Sequence, residues 1–203
     1  MDKASNMKYI CAIVLAAGES KRMKVPKMLL PYKDKTIIEK VIENIIASGI
    51  EKIIVVLGSD KDNIRKVTGN LPVTNCYNDN YREGMLSSVK CGFSKLDEQC
   101  GAVLVFLGDQ PGIEADVIKN LIKAYRNSDK GIVIPVFNNK RGHPLIIDIK
   151  YKGDIEHLDK SATLRDLVHK HAGDVHEIEV ETQSILRDID THEDYLNELK
   201  QID

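Results

Sequence analysis

The chain has 203 residues, 42% of them hydrophobic, and its 29 basic and 31 acidic residues leave a net charge of -2. That size and apolar content allow one substantial core, and the charge balance excludes the broad field that draws proteins to nucleic acid or to an anionic membrane. No apolar run approaches the roughly 20 residues of a membrane span and no secretion signal is visible, so the expectation is a cytoplasmic protein with a flexible extension at residues 1–6 and a single domain over 7–203.

In chain order, residues 9–15 (YICAIVL) form a continuous apolar run that ends in Ala16-Ala17-Gly18, as a buried parallel strand entering a loop would. Thr36 opens a T-x-x-E capping box with Glu39, apolar residues follow at Ile38, Val41, Ile42, Ile45 and Ile46, and Gly49 stands at a helix C-terminus. Residues 53–57 read as a second strand, 60–67 as a short helix, 102–107 as a third strand and about 114–125 as a helix. Residues 132–137 and 144–148 flank a turn-rich stretch and read as a hairpin. A helix near 163–170, a strand near 175–180 and a helix from about 191 to 199 complete the chain. This alternation predicts an α/β fold: a mostly parallel mixed sheet with helices on both faces and ligands gathered at the strands' carboxyl ends. The four cysteines, Cys11, Cys76, Cys91 and Cys100, make no C-x-x-C pair and read as reduced structural thiols.

Two loops at predicted strand ends carry chemistry. After the first strand, Gly18-Glu19-Ser20-Lys21-Arg22 can turn backbone N–H groups toward phosphate, with Lys27 behind the stiff Pro26; an ordinary turn with solvated cations is the competing reading. The stretch is neither a Walker loop nor a G-x-G-x-x-G turn, which removes the usual support for a P-loop ATPase or a dinucleotide-dependent dehydrogenase. After the third strand, Gly108-Asp109-Gln110-Pro111 presents a carboxylate suited to Mg²⁺, which commonly takes one or two carboxylates plus substrate phosphates; a simple turn aspartate is the alternative. Asp188 and Asp190 share a face of an extended segment, and either completes a metal site unless Asp190 and Thr191 merely cap the last helix. Around Gly84, the segment from Asn78 through Ser87 and Ser88 offers small polar groups that read a base or cap a helix. Arg141-Gly142-His143-Pro144 reads as a turn with an imidazole. His169 and His171 read as a polar helix end.

Taken together, Leu15-Ala16-Ala17-Gly18-x-Ser20-x-Arg22-Met23 with Lys27, Gly84-Met85-x-Ser87-Ser88, Gly108-Asp109-Gln110-Pro111, Arg141-Gly142-His143-Pro144 and Asp188-Ile189-Asp190-Thr191 resemble the molybdenum cofactor cytidylyltransferases, within the Rossmann-like nucleotidyltransferases. The resemblance covers almost the whole chain. It implies nucleotide contacts from Leu15, Ala16, Ala17, Gly18, Ser20, Arg22, Lys27, Asn78, Gly84, Ser87, Ser88 and Gly108. It also implies catalytic roles for Arg22, Lys27 and Asp109, Mg²⁺ on Asp109 with Asp190 or Asp188, and an acceptor subsite at Arg141, Gly142 and His143. Two positions depart from the family: Lys24 follows Arg22-Met23 where a glycine is usual, and Thr163 stands where relatives often carry arginine.

The reaction so implied is attack of the terminal phosphate of molybdenum-molybdopterin on the α-phosphorus of CTP, releasing pyrophosphate; a molybdenum hydroxylase apoenzyme is the implied downstream partner. Because that nucleophile is already anionic, the work is positioning and charge neutralisation. Three alternatives stand beside it: a guanylyltransferase on the same cofactor, a cytidylyltransferase for another small phosphorylated metabolite, and a non-catalytic cofactor carrier. Ala17, where guanine-using relatives typically carry glycine, favours the smaller base.

Overall fold

The computed structural model describes residues 8–201; the extension expected at 1–6 lies outside them. β1 (Tyr9–Ala16) is the predicted first strand. A short ribbon of β2 (Pro31–Tyr32) and β3 (Lys35–Thr36) leads into α1 (Ile37–Ala47). The capping box forms as the sequence predicts: the Glu39 amide donates to the Thr36 hydroxyl, and the Thr36 amide donates to the Glu39 carboxylate. Gly49, at φ 91°, follows the cap residue Ser48 in the left-handed conformation that favours glycine. There follow β4 (Lys52–Leu57), α2 (Lys61–Thr68), β5 (Thr74–Tyr77), α3 (Met85–Phe93), β6 (Cys100–Leu107) and α4 (Ala115–Asn127). The second half supplies β7 (Ile132–Phe137), β8 (Lys140–Arg141), β9 (Leu145–Asp148), α5 (Lys152–His157), α6 (Leu164–Lys170), β10 (Val175–Glu179) and α7 (His192–Leu199). Among the described residues, no helix is long and apolar enough to cross a membrane.

The main sheet runs β5-β4-β1-β6-β9-β7-β10, with β8 on the side of β7. β5, β4, β1 and β6 pair in parallel, as do β7 and β10, while β9 is antiparallel to both neighbours. The hairpin forms through Asn138 and Asn139, whose positive φ values of 49° and 61° suit a tight reversal of twisted strands. β9 then passes between β6 and β7, which a two-strand hairpin alone does not require.

Strand alternation divides the core into two faces. Cys11, Ile13 and Leu15 of β1 pack with Val89 and Phe93 of α3, Ile155 of α5 and Leu167 of α6. Ala12, Val14 and Ala16 face the other way, onto α1, Ile64 of α2 and Ile118 and Leu121 of α4. Ile38, Val41, Ile42 and Ile45 of α1 are each 0% exposed, and burial of such side chains stabilises by about 1.5–3 kcal/mol each. The layers are therefore those of the predicted Rossmann-like fold.

A third cluster positions the functional loops. Tyr32 and Ile37 pack against Ile189 and Tyr195, with Met23, Leu30 and Leu199 around them. The Tyr195 hydroxyl donates to the Pro31 carbonyl at 2.7 Å, and Tyr32 donates to Glu198 at 3.3 Å. This clamp brings the 188–190 segment of the distant C-terminal region beside the loops that follow β1 and β6.

The turn after β6 hangs from one polar residue in the apolar stripe of α1. Asn44, 5% exposed, donates to the carbonyls of Pro111 (3.0 Å) and Ile113 (2.9 Å). Asn44→Ala orphans two buried carbonyls at about 1–3 kcal/mol apiece, so the expected loss is about 2–4 kcal/mol in urea-unfolding free energy; a loss under about 0.5 kcal/mol would show that the turn holds itself.

Candidate active site

β1 lies between β4 and β6 in register, Ala16 opposite Leu57 and Leu15 opposite Leu107, so three loops leave the sheet side by side at its carboxyl edge. Leu15, Ala16 and Ala17 are buried at 8%, 1% and 5% exposure. The Gly108 amide donates to Leu15 O (3.0 Å), the Ser59 amide to Ala17 O (3.4 Å) and the Ser59 hydroxyl to Gly18 O (2.8 Å). Gly58 admits this approach because a Cβ there would lie 2.4 Å from Ala17 O and 2.8 Å from Ala17 Cβ. The Ala17 methyl is thus packed against Gly58.

Beyond Gly18 the loop tightens on Ser20, at φ 48°, whose carbonyl accepts from the Met23 and Lys24 amides at 3.0 Å each. Its hydroxyl accepts from the Lys27 amide at 3.3 Å. Lys24 occupies φ 57°, a left-handed conformation that glycine adopts more easily. The loop therefore makes its turn without the usual glycine.

At the centre, Lys27 Nζ lies 2.5 Å from Asp109 Oδ2 and 2.7 Å from Asp190 Oδ1. Arg22 Nη1 reaches Asp190 Oδ2 at 2.8 Å. Burial opposes the charge on Lys27, but Asp109 and Asp190 outweigh it and hold the ammonium above its ordinary pKa. The Ile189 amide donates to Asp109 O at 3.1 Å, which joins the two acidic segments through the backbone. Asp188 accepts from Gln110 Nε2 at 2.6 Å; desolvation, followed by repulsion from Asp109, pushes its carboxyl up to about 6. Gln110 is itself 1% exposed. The capping reading of Asp190 gives way, because Thr191 is the N-cap of α7 in a box with Asp194, leaving Asp190 to the cations.

The segment expected to meet the nucleotide is organised by Asn78, which is 7% exposed. Its Nδ2 donates to Ser87 Oγ (2.8 Å) and Ser88 Oγ (3.0 Å), and its Oδ1 accepts from the Asn80 amide at 3.0 Å. α3 begins after Gly84, at φ 103°, with no side-chain cap, so the capping reading of the two serines also gives way. Glu19 reaches across to this segment, accepting from Arg82 at 3.5 Å as well as from Lys21 at 2.8 Å.

The expected acceptor residues divide. Arg141 is paired with Glu177 on β10 and stays outside the Lys27 cluster. Gly142 is packed so tightly that a Cβ would lie 2.4 Å from Ile185 O, and the His143 amide donates to that same carbonyl at 3.0 Å. Burial first and the Arg165 guanidinium second hold the His143 imidazole down near about 4, so it is neutral at ordinary pH. Thr163 caps α6, its amide donating to Asp166 at 2.7 Å, while Arg165 supplies a cation on the His143 side. His171 pairs with Asp154 at 3.0 Å, and His169 belongs to the last turn of α6.

Comparison with known proteins bears on the family and the fold. Residues 12–175 match the MobA-like NTP transferase domain. The molybdenum cofactor cytidylyltransferase of Escherichia coli (strain K12) is 29% identical over 94% of this chain and 95% of its own length. The bifunctional protein GlmU of Clostridium acetobutylicum is 33% identical over 74% of this chain but only 34% of its own length, so the chain spans about a third of that relative. The crystal structure of Rv0371c from Mycobacterium tuberculosis H37Rv superposes with a TM-score of 0.85 at 25% identity, covering 96% of this chain and 99% of that one.

The side chains of Lys27 and Asp109 are only 10% and 13% exposed, whereas Arg22 is 73% exposed. The reading of an ordinary turn with solvated cations therefore fails for Lys27, whereas Arg22 does stand exposed. Removing one partner from a buried ion pair costs about 3–5 kcal/mol and an exposed pair is worth about 0–1 kcal/mol. Lys27→Ala is therefore expected to lose about 3 kcal/mol by urea unfolding and Arg22→Ala under about 1 kcal/mol; equal losses would deny Lys27 its central place.

Proposed function

Because the chain belongs to the MobA-like NTP transferase family, a family of nucleotidyltransferases, we propose that it transfers CMP from CTP to the terminal phosphate of molybdenum-molybdopterin with release of pyrophosphate. The observation that carries this reading is the convergence of Lys27, Asp109, Asp190 and Arg22 at the carboxyl edge of β1 and β6. The choice of CTP and of the molybdopterin acceptor follows the E. coli relative that the chain matches over 94% of its length.

The donor set fits Mg²⁺ carried in with a triphosphate. Asp109 and Asp190 are hard oxygen ligands that face one ammonium within 2.7 Å, and Mg²⁺ typically takes one or two carboxylates plus substrate phosphates. Among the described residues, no group of three or more His, Cys, Asp or Glu is placed to hold a metal. When bound, Mg²⁺ supplies Lewis-acid stabilisation of charge on the triphosphate. The chain's residues do the rest. The backbone from Gly18 to Arg22 wraps the phosphates, and Asn78, Ser87 and Ser88 hold the ribose and base side. Lys27 and Arg22 exchange their carboxylate partners for phosphate oxygens, neutralising charge that builds toward the departing pyrophosphate. Gln110 holds Asp188 behind them, and neutral His143 lies on the acceptor side. An anionic nucleophile needs no general base, so no proton step is assigned.

Pyrophosphate release tests this reading with CTP and GTP, each with and without molybdenum-loaded molybdopterin. Release is expected only with CTP and acceptor together, and Asp109→Asn is expected to slow it about 100-fold or more while the circular dichroism stays native. Equal turnover of GTP would remove the cytidylyl assignment, and unchanged turnover by Asp109→Asn would remove the metal role.

A further inference from the structure

The four thiols fall into two pairs of different accessibility. Cys11 and Cys100, at 2% and 1% exposure, lie inside the core on β1 and β6. Cys76 of β5 is also buried, at 1%, but its Sγ lies 2.6 Å from that of Cys91 on α3. Cys91 is part-exposed and lines a cavity of about 430 Å³ with Tyr77, Asn78, Ser87 and Lys90. The two sulfurs are about half an ångström farther apart than the roughly 2.05 Å of a disulfide bond. A small disulfide oxidant thus reaches one member of the pair from solvent, and the other waits directly behind it.

We propose that Cys76 and Cys91 form a reversible disulfide modification site that staples β5 to α3 across the Asn78–Ser88 segment. The co-reactant is a low-molecular-weight disulfide, RSSR. The Cys91 thiolate attacks one sulfur of RSSR, forming a mixed disulfide on Cys91 and expelling RS⁻. The Cys76 sulfur, after losing its proton to solvent, then attacks Cys91 Sγ and expels the second RS⁻. Both thiolates take up protons, so two protein S–H bonds and one RSSR become one protein S–S bond and two RSH. Burial first and the Cys76 hydrogen bond second push the Cys91 thiol up to about 12. Exchange is therefore slow at neutral pH, and the site answers a sustained oxidising poise and not a passing oxidant. The site does not depend on which nucleotide the chain uses.

The test incubates the reduced full chain with excess oxidised glutathione at pH 8.5, quenches with acid, and maps peptides without reduction. The expected product is a Cys76–Cys91 crosslink with Cys11 and Cys100 still alkylatable after unfolding. Its melting temperature is expected to rise by roughly 5–10 °C, reversibly with dithiothreitol, because the closed loop restricts the unfolded chain. Cys76→Ser is expected to stop at a glutathione adduct on Cys91, and Cys91→Ser to take up no glutathione at Cys76. A stable glutathione adduct on wild-type Cys91, a bridge involving Cys11 or Cys100, or four unmodified thiols after prolonged exposure would each overturn the proposal.

Discussion

One ammonium between two carboxylates holds the candidate site together. Asp109 and Asp190 come from segments eighty residues apart in sequence, roughly, and their like charges would repel at the separation the fold imposes. Lys27 sits between them within 2.7 Å of each, so the loop after β1, the turn after β6 and the approach to α7 are mutually dependent. Other contacts serve this junction. Asn44 fixes the turn from α1, the Tyr32–Tyr195 cluster delivers the C-terminal segment, and the Ile189 amide ties that segment to Asp109 by its backbone.

The same arrangement gives Lys27 two uses in the proposed reaction. In the free chain it neutralises the diacid pair; with Mg²⁺ and a triphosphate bound, Asp109 and Asp190 would hold the ion and Lys27 would turn to phosphate oxygens. The ammonium thus keeps oxygen partners before and after binding, and an exchange between fixed partners needs little reorganisation. Arg22 follows the same path from a more exposed position. His143, held neutral, adds no charge to this balance.

Much of this was legible in the residues. The long apolar runs of β1, β4 and β6 and the Thr36–Glu39 box mark elements whose local signals and tertiary burial agree. β5, the β2–β3 ribbon and α5 carry weak local signals: β5 is four residues with a single buried member, each ribbon strand is two residues long, and α5 has a glycine and six residues in all. These exist because of what they pack against, which no local pattern encodes. In the site, motif order brought Asp109, Asp190 and Lys27 into view, but not that Lys27 is buried between the other two. Asn44 left a trace, as a polar residue inside the apolar stripe of α1; Gly58 and Ser59 left none beyond their place at a strand end. Arg141 was legible only through its motif; its partner Glu177 lies on a strand far along the chain, which no local pattern encodes.

Competition between the Lys27 ammonium and a divalent cation for Asp109 and Asp190 is the central claim, and binding of Mn²⁺, followed by loss of the free-ion electron paramagnetic resonance signal without turnover, tests it most directly. In nucleotide-free wild type the free signal should persist. In Lys27→Met, measured below its melting temperature, Mn²⁺ should bind without nucleotide at least about tenfold more tightly, a difference worth about 1.4 kcal/mol. Tight binding by nucleotide-free wild type, or no gain in Lys27→Met, would contradict the exchange at the heart of the site.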